Sequence, residues 1–344
     1  MNKISKRKKE HLDICINENP TFNTKTNGFD KYDFVHCAVT EVDISTIDLV
    51  TDFFNHKIKI PFLISCMTGG TSEADNINAK LSEVASALQI PIGVGSQREM
   101  IDNSSNINSY GVIRKYAKNV PVMSNLGAAQ VLQKSYLSKI QSLIDIVEAS
   151  VFVIHLNPLQ ELFQKDGEVN FAGLLNSIES IVNKINIPVV VKEVGSGIDK
   201  NSAQKLLNVG VKGIDVAGAG GTSWSAVEMI RNKNIIDNYF WNWGLPTSYC
   251  IRTVNQLKMD YNFLLIASGG IKNGVDIAKS IALGADLTAS ARTILKTLVN
   301  DNIDGVIKLI NSWMETLKKI MYLTNSASLD DLRTNKIQEK EKLI

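Results

Sequence analysis

Short apolar runs recur along the chain, and each closes in polar groups or glycine. They are KIPFLISCMTGG (59–70), IPIGVGSQR (90–98), VPVMSNLGAAQ (120–130) and SVFVIHLNPLQE (150–161). Four more follow: IPVVVKEVGSG (187–197), VKGIDVAGAGGTSW (211–224), NFLLIASGGI (262–271) and GADLTASAR (284–292). Continuous hydrophobicity, rather than alternation, is what a strand covered on both faces requires. Between the runs lie stretches with helical spacing, such as NINAKLSEVASAL (76–88), YLSKIQSLIDIVEA (136–149), FAGLLNSIESIVNKI (171–185) and NGVDIAKSIALG (273–284). Strands alternating with helices build a parallel sheet, and eight of them predict an α/β chain folded as a (β/α)8 TIM barrel. A doubly wound open sheet would place G-x-G-x-x-G after the first strand, where this chain has MTGGTSE.

The barrel is expected over residues 56–325, after an N-terminal extension or cap (1–55) and before a polar, frayed C-terminal tail (326–344). Residues 225–261, with Trp241, Trp243 and Cys250, are too many for one crossover helix and read as an insertion after strand six, over the site. Active sites of this fold lie at the carboxyl ends of the strands. That explains why the buried run VFVI stops in His155, Asn157, Gln160 and Glu161.

Composition narrows the partners. The chain has 344 residues, 44% of them hydrophobic, and a net charge of +2. The overall field therefore recruits neither nucleic acid nor membrane, and any anion must be caught locally. The four cysteines are far apart with no C-x-x-C, which fits a reducing compartment better than a disulfide framework or a zinc site. No apolar segment follows the basic start MNKISKRKKEH, and no run approaches the length of about 18 residues that a membrane span needs. A cytoplasmic protein is expected.

Candidate chemistry begins at strands seven and eight. Ser268-Gly269-Gly270 and Ser290-Ala291-Arg292 close them, and loops at these places form the usual phosphate site of such barrels. Glycine lets backbone N–H groups approach phosphate oxygens. The alternative is a tight turn and nothing more. Other strand ends offer Met67-Thr68-Gly69-Gly70, Ser96, Asn125, Lys192 and Gly221-Thr222, a setting for a flat flavin ring. Lys192 lies inside VVVKEV, where an unpaired ammonium is costly. It needs an anion: the N1–C2=O edge of a flavin, or a salt bridge to Asp215. Glu193 points to the other face of the strand.

These motifs resemble the type II isopentenyl-diphosphate isomerases, the FMN-dependent kind. The resemblance covers nearly the whole chain: RKKEH, FVH, MTGG, GSQR, SNLGAAQ, HLNPLQE, VVVKEVGSGI, DVAGAGGTSW, ASGGI and the final GAD…AR. HLNPLQE and DVAGAGGTSW are its most specific parts. It implies FMN contacts at Met67, Thr68, Ser96, Asn125, Lys192 and Thr222, with Gly269, Gly270, Ser290 and Ala291 around the FMN phosphate. It implies a diphosphate substrate held by Arg7, Lys8, His11, Ser96, Arg98 and Asn157, with Gln160 facing it and Mg2+ bound through Glu161. Ser290 departs from the pattern, since many relatives carry another small residue or Met there. Such enzymes are generally multimers, so a homo-oligomer, tetramer or octamer, is expected, with NADPH as the reductant of the flavin.

The residue types suit an allylic 1,3-proton shift. C2 of isopentenyl diphosphate is a very weak acid, so the alkene must be protonated as the base acts. Gln160 is neutral and can donate or accept, which suits orientation; whether it also shuttles a proton stays open. His155 lines the pocket in this reading, with Gln160 as its catalytic companion. One carboxylate suffices for Mg2+ that keeps water and substrate phosphate as ligands; alternatively Glu161 caps the helix that follows. Arg98 binds diphosphate or pairs with Glu99 or Asp102. Arg7, Lys8 and His11 fall about one helical turn apart and converge if the arm folds over the barrel mouth. Two rivals remain: an FMN-dependent α-hydroxy-acid oxidoreductase, whose His-Gly-Gly-Arg cluster is replaced here by AGAGGTSW, and a non-catalytic flavin-binding protein.

Overall fold

The computed structural model describes residues 3–67, 69, 72–102, 108–233, 238–334 and 336–343. All eight apolar runs form parallel strands: β1 (Phe62–Ile64), β2 (Ile92–Gly93), β3 (Val122–Gly127), β4 (Val151–Leu156), β5 (Val189–Glu193), β6 (Gly213–Asp215), β7 (Leu264–Ala267) and β8 (Leu287–Ser290). They pair in sequence order, and β8 closes onto β1 through Thr288–Phe62, Ala289–Leu63 and Ser290–Ile64. The barrel is therefore complete.

Strand alternation decides which side chains reach the lumen. On β4, Val151 and Val153 join the lumenal cluster with Met123, Val190, Ile266 and Leu287, whereas Phe152 and Ile154 pack outward under the helices. His155 continues the lumenal phase. The same count on β5 sends Val190 and Lys192 inward and Val191 and Glu193 outward. A short hairpin, Thr51–Phe53 with His56–Ile58, adds Phe53 and Ile58 to the lumenal cluster. Phe54 reaches Gly213, the first residue of β6, so this hairpin plugs the amino end of the barrel. The carboxyl end carries the cavity described below.

Five helices shape that end: α1 (Lys3–Asn17), α2 (Pro158–Phe163), α3 (Trp224–Arg231), α4 (Thr247–Asn255) and α5 (Arg292–Leu323). Helix α1 packs on α3 and α5, and α3 packs on α2. Helix α4 lies against β7 and the helix Lys200–Asn208, where a barrel crossover belongs. The helical spacing read over 136–149 is divided into Lys134–Leu137 and Ile140–Ile146.

The polar tail is not frayed over its described length. Ser328 and Asp331 form a capping box for the helix Leu329–Arg333, whose Leu329 and Leu332 are buried. Ile337–Glu339 then pairs antiparallel with Tyr32–Phe34 of the N-terminal extension. A hydrogen-bonding partner some 300 residues away in the chain is invisible to a local reading.

Candidate active site

A cavity of about 730 Å³ opens at the carboxyl end of the barrel. Every site residue expected from the sequence lines it, except Thr68, which lies outside the described residues together with Gly70. The strands bring up Met67, Ser96, Asn125, His155, Lys192, Ser290 and Ala291, and the loops add Asn157, Thr222, Gly269 and Gly270. Arg98 follows β2, Gln160 and Glu161 sit on α2, and Arg7, Lys8 and His11 descend from α1.

Lys192 is buried, and its ammonium makes one hydrogen bond among the described residues, 2.6 Å to the carbonyl of Glu193. The Glu193 carboxylate is occupied elsewhere, accepting from the N–H groups of Val194 (2.7 Å), Gly195 (2.6 Å) and Ser196. Asp215 lies opposite Lys192 in the β5–β6 register and accepts from Ser268 Oγ at 2.6 Å. Burial raises the Asp215 carboxyl, with the nearby Lys192 charge working against it. A buried ammonium with two of its three protons unused is a binding element for an anionic edge.

His155 Nδ1 is 2.9 Å from Asn125 Oδ1. Asn125 spends its Nδ2 on the Val94 carbonyl, so its Oδ1 must accept and Nδ1 must carry the imidazole proton. Burial, followed by the charges of Lys192 and Lys8, lowers the His155 pKa to about 3. The ring is neutral, with an unprotonated Nε2.

On α2 the amides and carboxylate are interlocked. Asn157 Nδ2 donates to Glu161 Oε1 (3.0 Å) and Gln160 Oε1 (3.3 Å), which leaves the Gln160 Nε2 end for the cavity. Asn157 Oδ1 is buried with no hydrogen-bond partner among the described residues. Glu161 Oε2 accepts from Gln164 Nε2 and from the Glu168 N–H, both at 2.9 Å. Glu161 thus ties down the loop after its helix rather than capping the helix start. A carboxylate offers about four acceptor positions, so one remains. Among the described residues no group of three or more His, Cys, Asp or Glu forms a metal cage. One carboxylate oxygen beside an orphaned amide oxygen nevertheless fits Mg2+ that takes its other ligands from water and phosphate.

The cationic side chains differ in their freedom. Lys8 Nζ donates to the carbonyls of Gly69 (2.8 Å) and Ser96 (2.9 Å) and lies 3.0 Å from the Tyr110 hydroxyl, stapling the loops after β1 and β2. His11 Nε2 meets Glu228 Oε1 at 2.7 Å, and its ring stands edge-on to Trp224 at 5.3 Å. Arg98 faces Glu168 at 3.4 Å, and Glu99 accepts from Ser5 Oγ at 2.7 Å; the side chain of Asp102, another expected partner of Arg98, lies outside the described residues. The Arg7 guanidinium has no hydrogen bond or ion pair among the described residues. Its pKa is lowered by burial and next by the charge of Arg98. Two guanidinium groups held close enough to repel mark a place for an anion.

The glycine loops after β6 and β7 face each other closely. Gly269 (φ +99°) and Gly270 (φ +76°) have left-handed backbones, and a Cβ on either would collide with the carbonyl of Gly218 or Gly220. Sequence reasoning missed Asn27, Thr247, Glu168 and Glu228, all at or around this cavity. Each acts on residues far away in the chain, and only the run TNG around Asn27 hinted at a structured loop.

Fold and site together define a flavin-binding barrel of the FMN-dependent dehydrogenase class; that family matches residues 1–106 and 165–339. Solved structures with this fold include a flavocytochrome b2 variant, with a TM-score of 0.72 at 15% identity over 96% of this chain and 82% of that one. A mandelate oxidase variant gives 0.66 at 15% identity, over 95% of both chains. Sequence relatives are nearer. The isopentenyl-diphosphate delta-isomerase of Pelodictyon phaeoclathratiforme is 42% identical over 96% of both chains. Its counterpart from Chlorobaculum parvum is 41% identical over 98% of this chain and 97% of its own. That of Vibrio parahaemolyticus is 45% identical over 84% of this chain and 86% of its own. The chain belongs to the isopentenyl-diphosphate delta-isomerase family.

Proposed function

We infer that this chain interconverts isopentenyl and dimethylallyl diphosphate by an allylic 1,3-proton shift, with FMN as cofactor, in isoprenoid biosynthesis. The observation that carries the reading is one cavity in which the Arg7 guanidinium, unpaired among the described residues, meets the Lys192 ammonium and the amide end of Gln160. When bound, reduced FMN would supply a planar, water-poor surface and an exchangeable proton. Lys192 would hold the anionic edge of the ring, with Asn125, Met67, Ser96 and Thr222 lining its place. The N–H groups at Gly269, Gly270 and Ala291, near Ser290, receive the phosphate.

Arg7 and Arg98 bind the substrate diphosphate, with His11 held ready by Glu228 and with Lys8 shaping the loop beneath it. Glu161 and Asn157 Oδ1 would hold Mg2+, which would neutralise charge on the diphosphate. Gln160 Nε2 orients the reacting end of the substrate, and neutral His155 presents an unprotonated Nε2 that accepts a hydrogen bond without bringing charge to the cavity. No net oxidation occurs, so NADPH serves only to charge the flavin. The reading places the protein in the cytoplasm as a homo-oligomer. It needs no membrane partner, and no described helix is long and apolar enough to cross a membrane.

Proton NMR in D2O, under anaerobic conditions, tests the reaction. The sample holds protein, FMN, Mg2+ and isopentenyl diphosphate, with and without reduction of the flavin and with and without the metal. Dimethylallyl product carrying solvent deuterium is expected only with reduced flavin and Mg2+. Unchanged substrate throughout, with flavin bound and 2-hydroxy acids oxidised at the expense of O2, would favour the oxidoreductase instead.

A further inference from the structure

The loop after β7 has an unusual hydrogen-bond pattern. Four consecutive carbonyls accept bonds from outside the loop. Ser268 O accepts from the Gly218 N–H (3.0 Å), Gly269 O from Thr247 Oγ1 (2.6 Å), Gly270 O from Asn27 Nδ2 (2.8 Å) and Ile271 O from Ser290 Oγ (2.8 Å). In a trans peptide the N–H points away from the carbonyl of the preceding residue. The first three bonds therefore direct the N–H groups of Gly269, Gly270 and Ile271 to the other side of the loop. None of these three N–H groups meets an acceptor among the described residues. The fourth peptide differs: the Lys272 N–H is taken by Asp276 Oδ2 at 3.1 Å, which closes the run.

We propose that Thr247 and Asn27 are positioning residues for the cofactor phosphate. Each holds one carbonyl outward, and so keeps one N–H of the loop turned toward the anion. Thr247 is fully buried at the start of α4, and its hydroxyl also lies 3.3 Å from the Ser268 carbonyl. Asn27 comes from the N-terminal extension, and its Oδ1 accepts from the Phe29 N–H at 3.2 Å, which fixes the amide orientation. Without these bonds the two glycine peptides could rotate, because glycine has no Cβ to hold them. Preorganised N–H donors avoid that reorientation on binding. The assignment rests on the FMN reading of the site, because it requires a phosphate at this loop.

The test compares FMN with riboflavin, which lacks the phosphate, by flavin-fluorescence titration of the full-length chain freed of flavin. Thr247→Val keeps the shape and removes the hydroxyl. It should raise the FMN Kd by roughly three- to tenfold, the span of one ordinary hydrogen bond, and leave the riboflavin Kd unchanged. Thr247→Ser should restore FMN binding. Asn27→Ala should repeat the Thr247→Val result from a different element, which covers the case of a variant that fails to fold. Equal losses for both flavins, or an unchanged FMN Kd, would overturn the positioning role. A wild-type chain that binds riboflavin as tightly as FMN would instead overturn the phosphate reading, and the proposal with it.

Discussion

His155 shows how far burial sets the chemistry of one side chain. Its pKa of about 3 lies below the usual value for a free imidazole. Between pH 6.5 and 3 the unfolded chain takes up a proton there that the native chain refuses, so stability falls as the pH drops through that window. Each pH unit inside it costs about 1.4 kcal/mol from this group alone. Urea unfolding at pH 7, 6 and 5 should show the wild type losing more stability than His155→Gln. Parallel losses in the two proteins would mean that the imidazole is protonated in the native state. The sequence placed His155 at the end of a strand, and period-two alternation was enough to aim it inward. Its charge state was not legible, because that depends on Asn125, Lys192 and Lys8, which come from three other elements.

At the scale of elements, α1 is the piece whose role turns on tertiary contacts. Its motif KRKKEH reads as a solvated basic run, yet the helix lies over the cavity. Its polar attachments join His11 to Glu228, and Glu10 to Arg231 at 3.0 Å, with Arg231 also paired to Glu228. Arg292 adds bonds to the carbonyls of Cys15 (2.9 Å) and Glu18 (2.7 Å). Burial raises the Glu228 carboxyl, but His11 and Arg231 outweigh it and hold the group below the usual carboxylate range. Removing that charge should loosen α1 without touching the barrel. In Glu228→Gln, amide exchange in residues 3–17 should rise at least about tenfold while β3 and β4 keep their protection. The KM for the diphosphate should rise, and FMN affinity should stay the same. Unaltered exchange in α1 would show that apolar packing, through residues such as Leu12, holds the helix alone.

For the whole molecule, the N-terminal extension meets the C-terminal tail. The strand Ile337–Glu339 pairs with Tyr32–Phe34, and the carbonyls of Phe29 and Tyr32 accept from Lys279 Nζ on the barrel helix Gly274–Ala282. Asn27 stands two residues before Phe29 and grips the loop after β7. The tail thus supports the segment that holds the Gly270 carbonyl, where the phosphate is proposed to bind. Ending the chain at Thr334 should lower the thermal midpoint by a few degrees, as expected from losing one short strand pair in a large domain. It should also weaken FMN binding more than riboflavin binding. Equal affinities for FMN before and after truncation would show that Lys279 holds the extension without help.

Much of the design was readable without coordinates. Eight buried strands, their order, and polar groups at one end of each follow from local pattern, because burial on two faces demands continuous apolar runs and the fold puts ligands at the carboxyl ends. Motif resemblance then carried FMN, the diphosphate and the list of lining residues. Other features depend on atoms from distant segments. Lys8 is a loop staple in this geometry, Arg98 faces Glu168, Glu161 is bonded on both oxygens, and Thr247 and Asn27 hold glycine carbonyls. The sequence by itself determined which side chains reach the mouth of the barrel, since strand periodicity is local. Only the tertiary structure decided which of them stay free for a ligand, because a hydrogen bond or an ion pair is settled by where the partner lies in space.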